Sequence, residues 1–244
     1  MPEDLLASVL TYAMFPVAAA ITGAIIASFR QPGARLRSII QHFAAGVVFS
    51  VVAVELLPDV VREHRPVQVV IGFALGVVAM LCIRSLTGKA EEKEIKSGET
   101  KLPLAMLVAV AVDVLVDGFL IGIGFAAGAK EGKLLTLALT VELLSLGLAV
   151  VVSLSKAGAA RMKAIVIVAL LSGLIIIGAT VGATLLSGLS DAALEIVLSF
   201  GLAALLFLVT EELLVEAHEE PETPLATATF FAGFLLFLVL GMIG

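Results

Sequence analysis

Three acidic residues stand inside long apolar runs, and they are the side chains whose types and spacing could do chemistry. Asp113 and Asp117 occur in VAVDVLVDGFLIG, and Glu142 occurs in LTVELLSLG. The i, i+4 spacing of the two aspartates puts both carboxylates on one face of a helix, about 6 Å apart along its axis. Like charges so close repel unless a proton or a cation lies between them. Ser145 follows Glu142 by one turn and offers a hydroxyl on nearly the same side. Brought together, these four side chains would form a site for a cation or a proton; the alternative is a set of neutral, hydrogen-bonded structural acids. Further acids mark the ends of apolar runs. Glu55 and Asp59 flank Pro58, while Glu211, Glu212, Glu216, His218, Glu219 and Glu220 follow one another closely. Glu55, Asp59, Glu211 and Glu212 are placed to line a pathway, whereas Glu219, Glu220 and Glu222 are expected at a solvated helix end. His42 is a candidate ligand or an interfacial anchor, and His64 is expected in a loop.

The elements that must position these residues follow from composition. Of 244 residues 60% are hydrophobic and only 15% are charged, with a mean hydropathy of +1.15. A soluble domain of this length has no core large enough for that much apolar surface. Lipid accommodates it: a helix crossing the roughly 30 Å hydrocarbon core needs about 20 apolar residues. Charge, Pro and Gly divide the chain into eight such runs, at about 5–29, 43–61, 67–86, 102–129, 134–155, 164–187, 192–215 and 224–243. The expectation is one all-α transmembrane domain over 1–244. Its first run reads as a retained helix, because it continues far beyond a secretory apolar stretch and no small-residue cleavage site stands out. A carboxylate at bilayer depth costs about 2.5–3.5 kcal/mol on insertion scales, so acids there face a partner or a wet cavity.

The polar segment 87–101, TGKAEEKEIKSGETK, is the one long loop expected, and Pro103 suits the start of the next helix. With the N-terminus outside, inner loops hold 11 of the 15 Lys and Arg residues (Arg30, Arg35, Arg37, Arg84, Lys89, Lys93, Lys96, Lys101, Lys156, Arg161, Lys163). Outer loops hold the remaining 4, Arg62, Arg65, Lys130 and Lys133. That asymmetry predicts both termini outside. Short loops and compact length suggest a prokaryotic inner membrane. Net charge of −6 and the absence of a basic patch argue against nucleic acid as a partner. Cys82, the single cysteine, excludes a disulfide and is expected to pack as a small residue.

The chain also echoes itself. FAAGVVFSVVAVELLPDVVREH from Phe43 resembles FGLAALLFLVTEELLVEAHEE from Phe200, each with Glu-Leu-Leu starting twelve residues after its Phe, at Glu55 and Glu212. Because the second and seventh helices run in opposite directions, the echo is what an inverted repeat predicts, an arrangement common in secondary transporters. Glycine pairs at Gly72/Gly76, Gly118/Gly122, Gly124/Gly128 and Gly178/Gly182 are expected to let helices pack closely, and Gly118 and Gly147 to admit a helix or a ligand beside the acids. An enzyme is not expected. There is no H-E-x-x-H, P-loop or G-x-S-x-G, and the two aspartates share one helix, unlike those of intramembrane aspartyl proteases.

Together these segments resemble the ZIP family of divalent-metal transporters. FAAGVVFSVVAVELLPD and VTEELLVEAHEE are similar to that family's second- and seventh-helix signatures, and DVLVDGFLIG and VELLSLGLAV fall where it carries its metal-binding motifs. The resemblance implies an eight-helix fold in a 3+2+3 inverted-repeat arrangement, a homodimer, elevator-like motion and a mid-membrane metal site. It assigns Asp113, Asp117, Glu142 and Ser145 as metal ligands. It also exposes departures. Asp113 stands where the family has His, Val114 where it has Asn, Val141 for His or Gln, Leu144 for Pro, and Ile176 for the sixth-helix Glu. The implied function is transport of a divalent metal, with zinc, manganese, iron or another metal as substrate and no prosthetic group. The alternatives are a ZIP-fold protein that binds metal without transporting it, and a proton-coupled carrier of another solute. An all-oxygen donor set leans toward hard cations such as Mn²⁺, Mg²⁺ or Ca²⁺, although Zn²⁺ and Fe²⁺ also accept carboxylates.

Overall fold

A computed structural model describes residues 3–97, 103–186, 189–218, 220–221 and 223–243. Lys101, Glu219 and Glu222 lie outside the described residues. Among those described there are eight helices long and apolar enough to cross a membrane, and no strand. They are α1 (Leu5–Phe29), α2 (Ala34–Arg62), α3 (Pro66–Ala90), α4 (Leu104–Ala127), α5 (Ala129–Lys156), α6 (Arg161–Leu186), α7 (Asp191–Ala217) and α8 (Pro224–Ile243). In lipid every backbone N–H and C=O must be satisfied within the protein, which makes the helix the default for such runs.

Two boundaries differ most from the sequence expectation. The helix of α2 begins at Ala34 rather than near 43, taking in RLRSIIQH. Polar residues do not end it because Ser38, Gln41 and His42 are buried against α7. The helix of α3 runs on to Ser97, into the segment expected as loop 87–101. Its Lys-Ala-Glu-Glu-Lys-Glu-Ile-Lys stretch consists almost wholly of strong helix formers, so leaving the apolar run is no reason to leave the helix. The turn joining α4 to α5 is a single residue, Gly128. Ser190 caps the start of α7, its Oγ accepting from the Ala193 N–H at 3.4 Å.

The helices sort by contact into two groups of four. The most extensive pairings are α1 with α5 and α4 with α6 in one group, and α2 with α8 and α3 with α7 in the other. Each of these four interfaces is a seam where glycine meets the backbone of its partner. Gly118 and Gly122 of α4 lie against α6, whose Gly178 and Gly182 lie against α4; Gly46 and Gly233 reciprocate across α2 and α8. Without a hydrophobic drive between helices in lipid, such close approach is the main source of cohesion. Gly118 and Gly147, expected to admit a helix or a ligand, each seat a helix: Ile175 of α6 and Ala20 of α1. Cys82 is exposed rather than packed, because α3 turns that face outward.

Both segments of the internal echo widen into a π turn at their acids. The Leu57 N–H reaches back five residues to Val52 O, and the Leu214 N–H to Val209 O. In α2, Pro58 follows at once, and its missing N–H relaxes the local ladder. In α7, Val215 occupies the corresponding place, and nothing in the structure explains the widening there.

Candidate metal centre

Asp113 and Asp117 straddle the midpoint of α4, and Glu142 stands at the midpoint of α5. The single-residue turn at Gly128 fixes these two helices as an antiparallel hairpin, so mid-helix residues come level. One carboxylate oxygen from each of Asp113, Asp117 and Glu142 lies within 4.8 Å of the others. Asp117 is 1% exposed and Glu142 3%, while Asp113 is half-buried. Ser145 is buried one turn beyond Glu142 on α5. Asp117 Oδ2 and Glu142 Oε2 have no hydrogen-bond partner among the described residues.

Electrostatics sets what this arrangement can do. Two unit charges 4.8 Å apart repel by about 3.5 kcal/mol at an effective dielectric of about 20. Three charged acids so placed call for a proton or a cation among them. A dication between them would turn each repulsion into a shared attraction, and a proton would remove it.

Helix α7 completes the surroundings. Glu212 faces the same cavity as Asp113. A cavity of about 260 Å³ runs from Asp113 past Glu212, Glu211 and Glu216 to Arg84 and Thr87, at the side where α3 ends and α4 begins. Arg84 of α3 is ion-paired with Glu211 in its wall. The structure therefore places Glu211 and Glu212 with Asp113 in the wall of one cavity. Glu55 and Asp59 lie at the other end of the bundle. Glu55 is 9% exposed, with its Oε2 3.7 Å from Lys130 Nζ, and Asp59 pairs with Arg62 at 3.6 Å. Lys130 also donates to Gly241 O at 2.6 Å.

Sequence reasoning missed Glu195 of α7. It is 1% exposed, and neither carboxylate oxygen makes a well-formed hydrogen bond among the described residues. The signal was available, since LEIVLS places this acid inside an apolar run as surely as the others. The glutamine–glutamate link between Gln41 and Glu216 was equally unread, because it joins α2 to the end of α7 across the fold.

The ZIP zinc transporter family matches residues 87–241. The chain belongs to that family. The match takes in α4 to α8, with Asp113, Asp117 and Glu142, and leaves α1, α2 and most of α3 to be placed by the structure. Compared with curated proteins, the sequence gives no match. Family membership and eight apolar helices make this an integral membrane protein of a divalent-metal transporter family, with metal as substrate and not as resident cofactor.

Proposed function

We propose that this ZIP protein carries a divalent cation across the bilayer through a site made by Asp113, Asp117 and Glu142, with Ser145 and water completing the shell. The observation that carries the reading is the convergence of three carboxylates within 4.8 Å at mid-helix, two of them with unsatisfied buried oxygens. Glu212 and Glu211 serve as the approach from the cavity side, and Glu55 and Asp59 as the approach from the opposite side. Because every donor is oxygen, the site accommodates Mn²⁺, Mg²⁺ or Ca²⁺ as readily as Zn²⁺ or Fe²⁺.

An elevator mechanism with a 3+2+3 inverted repeat fits the packing. Exchanging α1 with α6, α2 with α7, α3 with α8 and α4 with α5 maps the four principal pairings onto one another. The carboxylates ride on the group of α1, α4, α5 and α6, while Glu211, Glu212 and Arg84 belong to the other group, and the cavity lies where the two meet. In this reading the protein is a homodimer in a prokaryotic inner membrane with both termini outside, and the cavity faces inward.

Uptake of a panel of metals (Zn²⁺, Mn²⁺, Fe²⁺, Mg²⁺, Ca²⁺) into proteoliposomes tests the proposal. Saturable uptake of at least one metal is expected, reduced tenfold or more by Asp117→Ala and by Glu142→Gln, since each removes a ligand charge from the centre. No saturable uptake of any metal, or Asp117→Ala indistinguishable from wild type, would overturn it. One observation favours a second reading, binding without transport: Ile176 on α6 offers no ligand where the family has Glu. Stoichiometric metal binding with no flux would establish that reading instead.

A further inference from the structure

At the end of the bundle away from the cavity, one side chain reaches from the carboxylate-bearing group of helices to the other group. Lys130 stands in the first turn of α5, just past the Gly128 turn, on the helix that carries Glu142. Its Nζ donates to Gly241 O of α8 at 2.6 Å and lies 3.7 Å from Glu55 Oε2 of α2. Both partners belong to the group of α2, α3, α7 and α8. The links of Arg84 with Glu211, Gln41 with Glu216 and Ser38 with Ala217 stay within that group. Lys133, one turn further along α5, stays within its own group, 5.8 Å from the centre of the Tyr12 ring of α1.

The partners of Lys130 are built to receive a cation. Glu55 lies inside the π turn Val52–Leu56 and is 9% exposed. Gly241 is in the last turn of α8, where carbonyls have no intrahelical donor and the helix dipole favours positive charge. A Cβ added at Gly241 would lie 2.4 Å from Glu55 Oε1, so the carboxylate rests between a bare Cα and the ammonium. Lys130 is itself 41% exposed, so its ammonium can pass from these acceptors to water at little cost. A contact of that kind is strong enough to bias two arrangements and weak enough to release.

We propose that Lys130 is the gating residue at this end: bonded to Glu55 and Gly241, it holds the two groups closed here while the cavity at the opposite end is open. When the carboxylate-bearing group moves, the ammonium must leave both acceptors. Because Glu55 is also an approach acid, the ammonium stands where an arriving cation would bind, and this end admits cargo only as the contact breaks. The inference rests on the transport reading above, in which the two groups move past each other.

Pulsed electron paramagnetic resonance between two spin labels tests it without metal. The labels are placed at Thr11→Cys on α1 and Val61→Cys on α2, both exposed and near this end, in a Cys82→Ser background. Lys130→Met is expected to populate a second distance at least about threefold more than the wild-type Lys130 does. Lys130→Arg, which keeps the cation, should restore the original distribution. Lys133→Met removes an equal charge that does not cross between groups, and should leave the distribution unchanged. A Lys130→Met distribution like that of the parent, or the same shift in Lys133→Met, would overturn the proposal. Metal uptake in liposomes separates the two readings. Uptake by the wild type with no shift in Lys130→Met sinks the gate and leaves transport standing, whereas the shift without uptake of any metal keeps the gate and sinks transport.

Discussion

Gly122→Ala, on the carboxylate-bearing α4, is expected to loosen the seam with α6 and degrade transport. A Cβ added at Gly122 would lie 2.5 Å from Ala183 N, 2.7 Å from Ala179 O and 2.7 Å from the Gly182 Cα. All three are backbone atoms of α6, so no side chain can rotate away. Contacts of a Cβ under 3.0 Å are essentially never seen, so α4 and α6 must separate by at least 0.5 Å at this level. Overpacking of this kind costs about 1–3 kcal/mol. Gly88 supplies the control, since nothing lies within 4 Å of its added Cβ on exposed α3. There Gly→Ala brings only the helix-propensity gain of about 0.8–1 kcal/mol. The propensity gain is common to both helical positions, so the two variants should differ by the overpacking cost of about 1–3 kcal/mol, a gap of roughly 2–12 °C in melting temperature for a chain of this size. The assay is thermal unfolding of both purified variants in one detergent, followed by metal uptake in liposomes. Uptake by Gly122→Ala should fall, because Asp117 is little more than one turn away and its position relative to Glu142 shifts with the helix. If Gly122→Ala melts with Gly88→Ala, at or above wild type, the glycine seam does not hold α4 in place.

Two further predictions concern buried charge at the other end of the bundle. Glu195→Met replaces an acid lacking a well-formed hydrogen bond with an unbranched apolar side chain of similar length. It should raise stability by about 1–3 kcal/mol, read as a higher melting temperature; a lower one would show that the carboxyl has a partner the packing hides. Lys130→Met removes the cation 3.7 Å from Glu55 together with the bond to Gly241 O. Lys130 is 41% exposed, so solvent screens its pair and the expected loss is only about 1 kcal/mol. Part of that loss should return in Lys130→Met/Glu55→Gln, and a double variant no better than the single would refute the pairing.

The helical architecture was legible because lipid leaves so few options. Eight apolar runs, each long enough to span, admit only helices once the backbone must satisfy itself. The central acids were legible for a related reason. Asp113, Asp117 and Glu142 interrupt apolar runs at a cost that asks for a function, and the i, i+4 spacing on α4 fixes a shared face regardless of fold. Ends of helices were less legible. The polar stretch from Arg35 to His42 resembles a loop in sequence but buries Ser38, Gln41 and His42 on α7. Hydropathy registers that these residues are polar, and it carries no information about a partner nearly 180 positions away.

What the sequence determined by itself is the solvent, the number of spans and the acids placed at their centres, because these depend on composition and on local helical geometry. The tertiary structure decided everything that depends on which faces meet. It set the level of Glu142 against the two aspartates, the cavity that Asp113 shares with Glu212, the ion pair of Arg84 with Glu211 and the meeting of His42 with His218. In lipid an apolar face gains little by choosing a helix over an acyl chain, so hydrophobicity does not say which faces pack. Close backbone approach at glycine does, and its pairing of helices exists only in the folded chain.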